Sequence, residues 1–382
     1  MTNIAKSGGF RPPVVSESGS DERGMQKAHQ QPSDAEHSAR HPTLSALPRK
    51  PEAPPRSGDD GMVTRPRITP LRFVQPKPER ELVLTYDRTP PPENQAGSTE
   101  HFRYFRTTND LSALPEGLNR EGLDDLRLSG SETISTIGQV ERIARSANVQ
   151  DRDRLHIVDV RQESHVVADR YALTLRGLKD WANVGLSHEE ALQSEADWIG
   201  DLRRSENLTI YSAEDMKSGA RPMRSVTLHR PEIVSEQALV ERTGANYARL
   251  TVTDHLRPGD DAVDRFVEIV RRLPSDAALH VHCKGGKGRT TTFMAIYDML
   301  RNAGRVSADG IIDRQGELGR YQLKKIDGQN ADYRQDRLSF LYAFHEYATR
   351  NPDGQPQTWS AWLASRPDAG AWAADGVPAA KG

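Results

Sequence analysis

The sequence predicts an α/β fold: a central, mostly parallel sheet flanked by helices and preceded by a disordered N-terminal tail. Three observations predict it. From about residue 122 to residue 300, short apolar runs alternate with stretches of helical spacing, the order that builds a parallel sheet covered on both faces. One such run, Leu279 to His282, feeds a glycine-rich loop and then a helix start, and sheets of this kind bind ligands at the C-terminal ends of their strands. Residues 1 to about 95, by contrast, are rich in Pro, Ser, Gly, Gln, Asp and Arg and offer few apolar side chains to bury.

Such a tail cannot offset its ordering entropy, and 24 prolines with a mean hydropathy of -0.72 fit a chain that folds only in part. Within it, only Glu81 to Tyr86 resembles a short strand or docking piece. Phe102 to Thr107 sets aromatics beside arginines and is expected to lie across the body, and Gly122 to Ser131 reads as a turn and strand. Ile137 to Ala147 has helical spacing. His156 to Arg161 is a short apolar run with a polar ending, as expected of a buried central strand that borders a site. Ser187-His188-Glu189-Glu190 fits a capping box, with Ala191, Ile199 and Leu202 continuing inward. Leu208 to Leu228 alternates around Ser218 to Pro222, a small β excursion, and Ser235 to Thr243 is a helix ended by Gly244. A strand at Tyr247 to Val252 and a helix at Asp260 to Arg272 lead to the strand at 279–282 and a helix from Thr290 to Leu300. Further helices include Gln335 to Thr349 and Trp359 to Ala364, and residues 370–382 are expected to be flexible.

Composition narrows the classes. A net charge of -2 over 382 residues argues against a general nucleic-acid binder, so any basic site is local. The one cysteine has no partner for an internal disulfide and is left for chemistry. No stretch is long and apolar enough to span a membrane, and Met1 to Pro13 lacks the apolar core of a cleaved signal peptide.

The chemistry concentrates in His282-Cys283-Lys284-Gly285-Gly286-Lys287-Gly288-Arg289-Thr290. Five residues separate Cys283 from Arg289, and three are glycines, which let backbone N–H groups turn inward around a phosphate. The following helix aims its positive end at the same point and favours the thiolate of Cys283, a nucleophile. Arg289 can hold two phosphoryl oxygens in a fork. An ordinary turn around a buried thiol is the bland alternative, but strand, cysteine, glycines, arginine and helix come in the order the chemistry needs. Asp254, just after the Tyr247 strand, is placed to protonate the leaving oxygen; as a mere helix cap it would be less natural than Asp260 or Asp261. His282 is expected to orient the loop and Thr290 to hydrogen-bond the thiolate, while His280 is a plain strand residue. No His/Asp/Glu cluster has metal-ligand spacing, so neither metal nor cofactor is expected.

The loop resembles the signature of the protein tyrosine phosphatase superfamily, and the chain from about Phe105 to Ala369 resembles the cysteine-dependent, tyrosine-phosphatase-like phytases. The marks are Phe105-Arg106-Thr107, Leu126 to Ser131, Val158 to His165, Asp180 to Gly185, Thr253-Asp254-His255, His282 to Thr292, Arg314 to Gly319 and Trp359 to Leu363. The resemblance implies a phosphatase-like α/β core over residues 96–369, with a small partial β-barrel inserted at about 167–230. It also implies a metal-independent hydrolase of inositol polyphosphates, with Cys283 as nucleophile, Arg289 as phosphate clamp and Asp254 as acid. Lys284, Gly285, Gly286, Lys287 and Gly288 of the loop, with Arg106, Asp159, His255 and Lys324 or Lys325, are then expected to contact substrate. Two departures stand out. Val166-Val167-Ala168-Asp169 replaces a glycine-containing turn after His165, and Leu186 follows Gly185 where the family usually has a lysine nearby. Lys284 and Lys287 in the loop resemble phosphoinositide 3-phosphatases of the same superfamily. A phosphoinositide or phosphoprotein phosphatase, and an inositol-phosphate-binding pseudophosphatase, are therefore the alternatives. The polar tail before a catalytic body is similar to plant-pathogen effectors delivered by type III secretion, which implies delivery into a host cell and a secretion chaperone as partner of the tail.

Overall fold

The computed structural model describes residues 82–90 and 98–367, apart from residues 113 and 353. The expected disorder of residues 1–81 and flexibility of 370–382 fall outside the described residues. The chain forms strands β1 (Val83–Tyr86), β2 (Arg106–Thr107) and β3 (Leu128–Ser131), helix α1 (Ile137–Ser146) and strand β4 (Leu155–Asp159). Next come β5 (His165–Ala168), β6 (Tyr171–Arg176), α2 (His188–Arg204), β7 (Asn207–Ser212), α3 (Ala213–Ser218), β8 (Ser225–His229) and β9 (Ile233–Val234). Helix α4 (Glu236–Glu241), β10 (Asn246–Arg249), α5 (Asp260–Arg272) and β11 (Ala278–His282) lead to α6 (Gly288–Asn302). Helices α7 (Ala308–Leu318), α8 (Ala331–Arg350) and α9 (Trp359–Ala364) follow.

The core sheet runs β10-β4-β11-β3-β2, parallel through its first four strands, with the short β2 antiparallel at the edge. Strand β11 is buried along its whole length, as its central place requires. Leu279 and Val281 face one core cluster with residues of α5, α6, α8 and α9, whereas Ala278 faces a second cluster with α1 and α4. Phe266 of α5 meets Phe293 of α6 edge-on, with ring centroids 5.0 Å apart, a pairing worth about 1 kcal/mol beyond the area it buries. His280 lies on the α1/α4 side between the hydroxyls of Ser129 (2.8 Å) and Ser131 (2.9 Å). Burial, with His282 and Arg106 nearby, pushes its pKa well down and keeps it neutral.

The second sheet has the order β8-β7-β1-β6-β5-β9. Its core joins Tyr86, Val166, Leu173, Ile210 and Leu228 to Ile199 and Leu202 of α2. That helix begins with the capping box read from sequence: Ser187 Oγ accepts from the Glu190 N–H at 3.2 Å, and Glu190 Oε2 accepts from the Ser187 N–H at 2.8 Å. The insertion is not self-contained. Strand β1 enters between β6, antiparallel to it, and β7, parallel to it. The folded body therefore takes in Val83–Tyr86, which lie before the boundary expected near residue 96. The run resembles a short strand or docking piece by itself, and the partners that flank it on both sides, a long-range condition, make it a strand of the body.

Candidate active site

Strand β11 delivers Cys283 at the C-terminal edge of the core sheet, and α6 starts at Gly288, so Arg289 sits in its first helical turn. The loop between them is pressed against β3. At Gly286, where φ is +67°, an added Cβ would lie 2.5 Å from the Glu132 nitrogen and 2.6 Å from the Ser131 carbonyl carbon. Only glycine fits there. Arg106 lies behind the loop, donating through Nη1 to the Gly286 carbonyl (2.5 Å) and through Nη2 to Thr291 Oγ1 (3.1 Å). It braces the loop and does not line the cavity, which corrects the expectation of a substrate contact.

Cys283 is buried and opens onto a cavity of about 1060 Å³, which Arg289, Asp254, His255, Lys284 and Lys287 also line. Arg289 is fixed by Glu163, with Nη1 2.6 Å from Oε2 and Nη2 2.8 Å from Oε1. Its Nη1 also donates to the Val252 carbonyl (3.0 Å), and its Nε lies 3.2 Å from Asp254 Oδ1. Burial pushes the Glu163 pKa up, but the charge and hydrogen bonds of Arg289 and the charge of Arg161 outweigh it and hold the group well below the usual carboxylate range. Glu163 therefore stays ionised and holds the guanidinium edge-on. Asp254 Oδ2 lies 3.3 Å from His255 Nε2, and the Asp254 carbonyl accepts from Trp181 Nε1 at 3.0 Å.

The two loop lysines differ. Lys284 Nζ is held between Asp180 Oδ1 (2.9 Å) and Asp87 Oδ1 (3.2 Å), so its charge is already matched. Lys287 is exposed, with Nζ 4.3 Å from the centroid of the Tyr104 ring. The Thr290 hydroxyl is directed at the Ser131 carbonyl, 3.5 Å away, instead of the thiolate bond expected for it. His282 Nε2 lies 2.6 Å from Glu236 Oε1, on the side of the sheet away from α6.

Asp159 is fully buried beneath the site and does not line the cavity, so it too is corrected as a substrate contact. It meets His165 Nε2 (3.0 Å), Arg249 Nε (3.3 Å) and the Tyr247 hydroxyl (3.1 Å). Asp159, His165 and Glu236 bring ligand atoms within 4.8 Å of one another, close enough for a metal ion. Burial and two arginines push the His165 pKa down, but Asp159 and Glu195 raise it to about 9, so with Arg249 alongside the cluster is already filled by cations. Lys324 pairs with Asp309 (2.5 Å) and Asp313 (2.8 Å) outside the main cavity, a further correction, whereas Lys325 lines the cavity and lies 3.3 Å from Asp327.

Sequence reasoning assigned no role to Glu163, Asp87, Asp180, Trp181 or Glu236. For Glu163 a signal existed: it lies within the polar run, Arg161 to His165, that follows the apolar residues of the buried strand. Asp87 had none, because it lies in the stretch read as tail.

A family model described as PTP-like phytase, inositol hexakisphosphate, matches residues 158–301. The chain is 39% identical over 301 residues to the effector protein hopD2 of Pseudomonas syringae pv. tomato, covering 77% of this chain and 63% of that protein. The structure of a PTP-like phytase from Bdellovibrio bacteriovorus matches with a TM-score of 0.60 and 32% identity, covering 76% of this chain and 97% of that one. A PTP-like myo-inositol phosphatase from Mitsuokella multacida, solved in complex with myo-inositol-(1,3,4,5)-tetrakisphosphate, matches with a TM-score of 0.66 and 31% identity. That match covers 76% of this chain and 49% of that one, so the chain spans about half of that relative and under two thirds of hopD2.

Proposed function

Because the chain belongs to the PTP-like phytase family, we propose that it is a cysteine-dependent phosphomonoesterase that hydrolyses myo-inositol hexakisphosphate through a phosphocysteine intermediate. What carries this function is the convergence of Cys283, Arg289 and Asp254 on one cavity lined by excess positive charge. Cys283 Sγ attacks phosphorus as the P–O ester bond breaks, and the Asp254 carboxyl passes its proton to the leaving oxygen. Water then attacks the phosphocysteine, Asp254 takes the proton back, and inorganic phosphate leaves the restored thiolate. Arg289, aimed by Glu163, and the inward backbone N–H groups meet the charge that develops on the equatorial oxygens.

The substrate class follows from the cations. Lys179, Lys217, Lys287 and Arg320 line the cavity without an ion-pair partner among the described residues, which favours a substrate carrying several phosphates. The phosphoinositide reading drew on two lysines in the loop, and Asp87 and Asp180 already occupy one of them. The similarity to an effector protein supports delivery into a host cell as the setting.

Purified protein given inositol hexakisphosphate should release phosphate, and Cys283→Ser should bind the compound without releasing any. Turnover of p-nitrophenyl phosphate with none of inositol hexakisphosphate would refute the substrate class, and phosphate release by Cys283→Ser would refute the nucleophile.

A further inference from the structure

We infer that the turn at residues 179–183 in the inserted segment holds the acid loop and the nucleophile loop in register, with Trp181 as the positioning residue for Asp254; the inference rests on the phosphomonoesterase function proposed above. Adjacent residues of this turn grip both loops. Asp180 Oδ1 lies 2.9 Å from Nζ of Lys284, the neighbour of Cys283 in the chain. Trp181 Nε1 donates to the carbonyl of Asp254 itself at 3.0 Å.

The turn is held firmly enough to act as a gauge. Lys179 and Asp180 take φ values of 56° and 60°, left-handed conformations that residues with a Cβ adopt only when their surroundings impose them. Asp180 is pinned a second time by Arg176 Nε at 3.2 Å. Asn183 Nδ2 donates to the Gln162 carbonyl (2.9 Å) and to Ser164 Oγ (3.0 Å), and Gln162 Oε1 accepts from Thr253 Oγ1 (2.8 Å), the residue before the acid. The indole is itself clamped, edge-on to Tyr333 with centroids 6.1 Å apart and with Lys179 Nζ 4.8 Å from its ring. The Asp254 backbone is thereby fixed, while its side chain, 25% exposed, faces Arg289 and His255.

A misplacement of about 1 Å in a reacting group can cost on the order of a hundredfold in rate. Loss of the indole N–H lets the acid drift and leaves Cys283 and Arg289 in place, so the harm falls on the proton-transfer step. That step matters most when the leaving oxygen is basic. A structural role alone would slow all substrates alike.

The test compares phenyl phosphate, with the more basic leaving oxygen, against p-nitrophenyl phosphate. Trp181→Phe keeps an aromatic ring but no donor, and should slow phenyl phosphate about tenfold more than p-nitrophenyl phosphate. Asp254→Asn should show a wider gap of the same kind, and Trp181→His, which retains a ring N–H, should narrow the gap of Trp181→Phe. Combined with Asp180→Asn, Trp181→Phe should cost less on phenyl phosphate than the product of the two single losses, because one turn serves both grips. Equal slowing of both substrates by Trp181→Phe, beside a selective Asp254→Asn, would overturn the coupling alone, as would strictly multiplicative losses in the double variant. An unselective Asp254→Asn would overturn the acid assignment and the coupling with it.

Discussion

Replacing Lys287 by Ala and replacing Lys284 by Ala should have different consequences, although both residues lie in the same phosphate loop. Lys287 is exposed and has no carboxylate partner among the described residues, only the Tyr104 ring 4.3 Å away. A phosphate about 4 Å from its charge gains about 1 kcal/mol at the dielectric of water and about 4 kcal/mol at an effective dielectric near 20. Exposure places Lys287 near the lower figure, so Lys287→Ala should lower kcat/KM for inositol hexakisphosphate about fivefold. A monophosphate such as p-nitrophenyl phosphate has no second phosphate to lose and should fall by less than about twofold. Raising ionic strength should narrow the gap between the two substrates in the wild type, because the contact is screened through solvent. Lys284→Ala instead leaves two carboxylates, Asp87 at 3% and Asp180 at 9% side-chain exposure, without the cation between them. Unmatching buried charge typically costs about 3–5 kcal/mol, softened here by Arg176 beside Asp180, and the loss should appear in the melting temperature and on both substrates alike. Steady-state kinetics on the two substrates at low and high salt, with thermal melts, separates these outcomes. A selective loss in Lys284→Ala, or an equal loss on both substrates in Lys287→Ala, would refute the assignment of binding to one lysine and bracing to the other.

Three further outcomes follow from the same contacts. A chain beginning at residue 97 lacks β1, which pairs with both β6 and β7, and it should lose cooperative unfolding and turnover that a chain beginning near residue 76 keeps; urea melts with activity assays check this. Asp254→Asn should reduce turnover of inositol hexakisphosphate by about 10²–10⁴-fold, measured as phosphate release, and near-normal turnover would move the acid elsewhere. His165, raised from 6.5 to about 9 by Asp159 and Glu195 against its burial, adds stability that is fully present below pH 6.5 and lost as pH rises through 9. The contribution is about 3 kcal/mol, so melting temperature should fall between pH 7 and pH 9.5 more steeply in the wild type than in His165→Gln.

Local signals made much of the fold legible. The capping box at Ser187, the apolar strand at 279–282 and the glycine-rich loop each declare themselves within a few residues, and each lies where it was read. Strand β1 is legible only as a short strand or docking piece within the tail, because the partners that make it part of the body, β6 and β7, lie about 90 and 125 residues further on. The same limit governed the site. Cys283, Arg289 and Asp254 could be named from the chemistry that their spacing allows. Whether a charge faces the cavity depends on which opposite charge the fold brings beside it, and neither Asp87 beside Lys284 nor Asp313 beside Lys324 is visible in sequence spacing. Arg106 and Asp159 were assigned to substrate by resemblance, yet burial turns them into supports beneath the loop.

Most donors of Arg289 are engaged before substrate arrives, and this bears on which edge of the guanidinium is left for a phosphate. Glu163 takes one N–H from each Nη, the Val252 carbonyl takes another from Nη1, and Nε faces Asp254 at 3.2 Å. The Glu163 and Val252 contacts lie in the buried interior and cost the most to give up. On the proposed mechanism the incoming phosphate therefore takes Nε and the remaining N–H of Nη2, a forked pair of donors on one edge of the guanidinium. Asp254 must yield the first of these. Its carboxyl is then released from the guanidinium and stands beside the phosphate whose leaving oxygen it serves. On that mechanism the contact between Asp254 and Arg289 thus occupies the place of the phosphate until the substrate displaces it. Removing the competing charge should ease that displacement, so Cys283→Ser/Asp254→Asn should bind inositol hexakisphosphate at least as tightly as Cys283→Ser, measured by titration calorimetry; clearly weaker binding in the double variant would refute it.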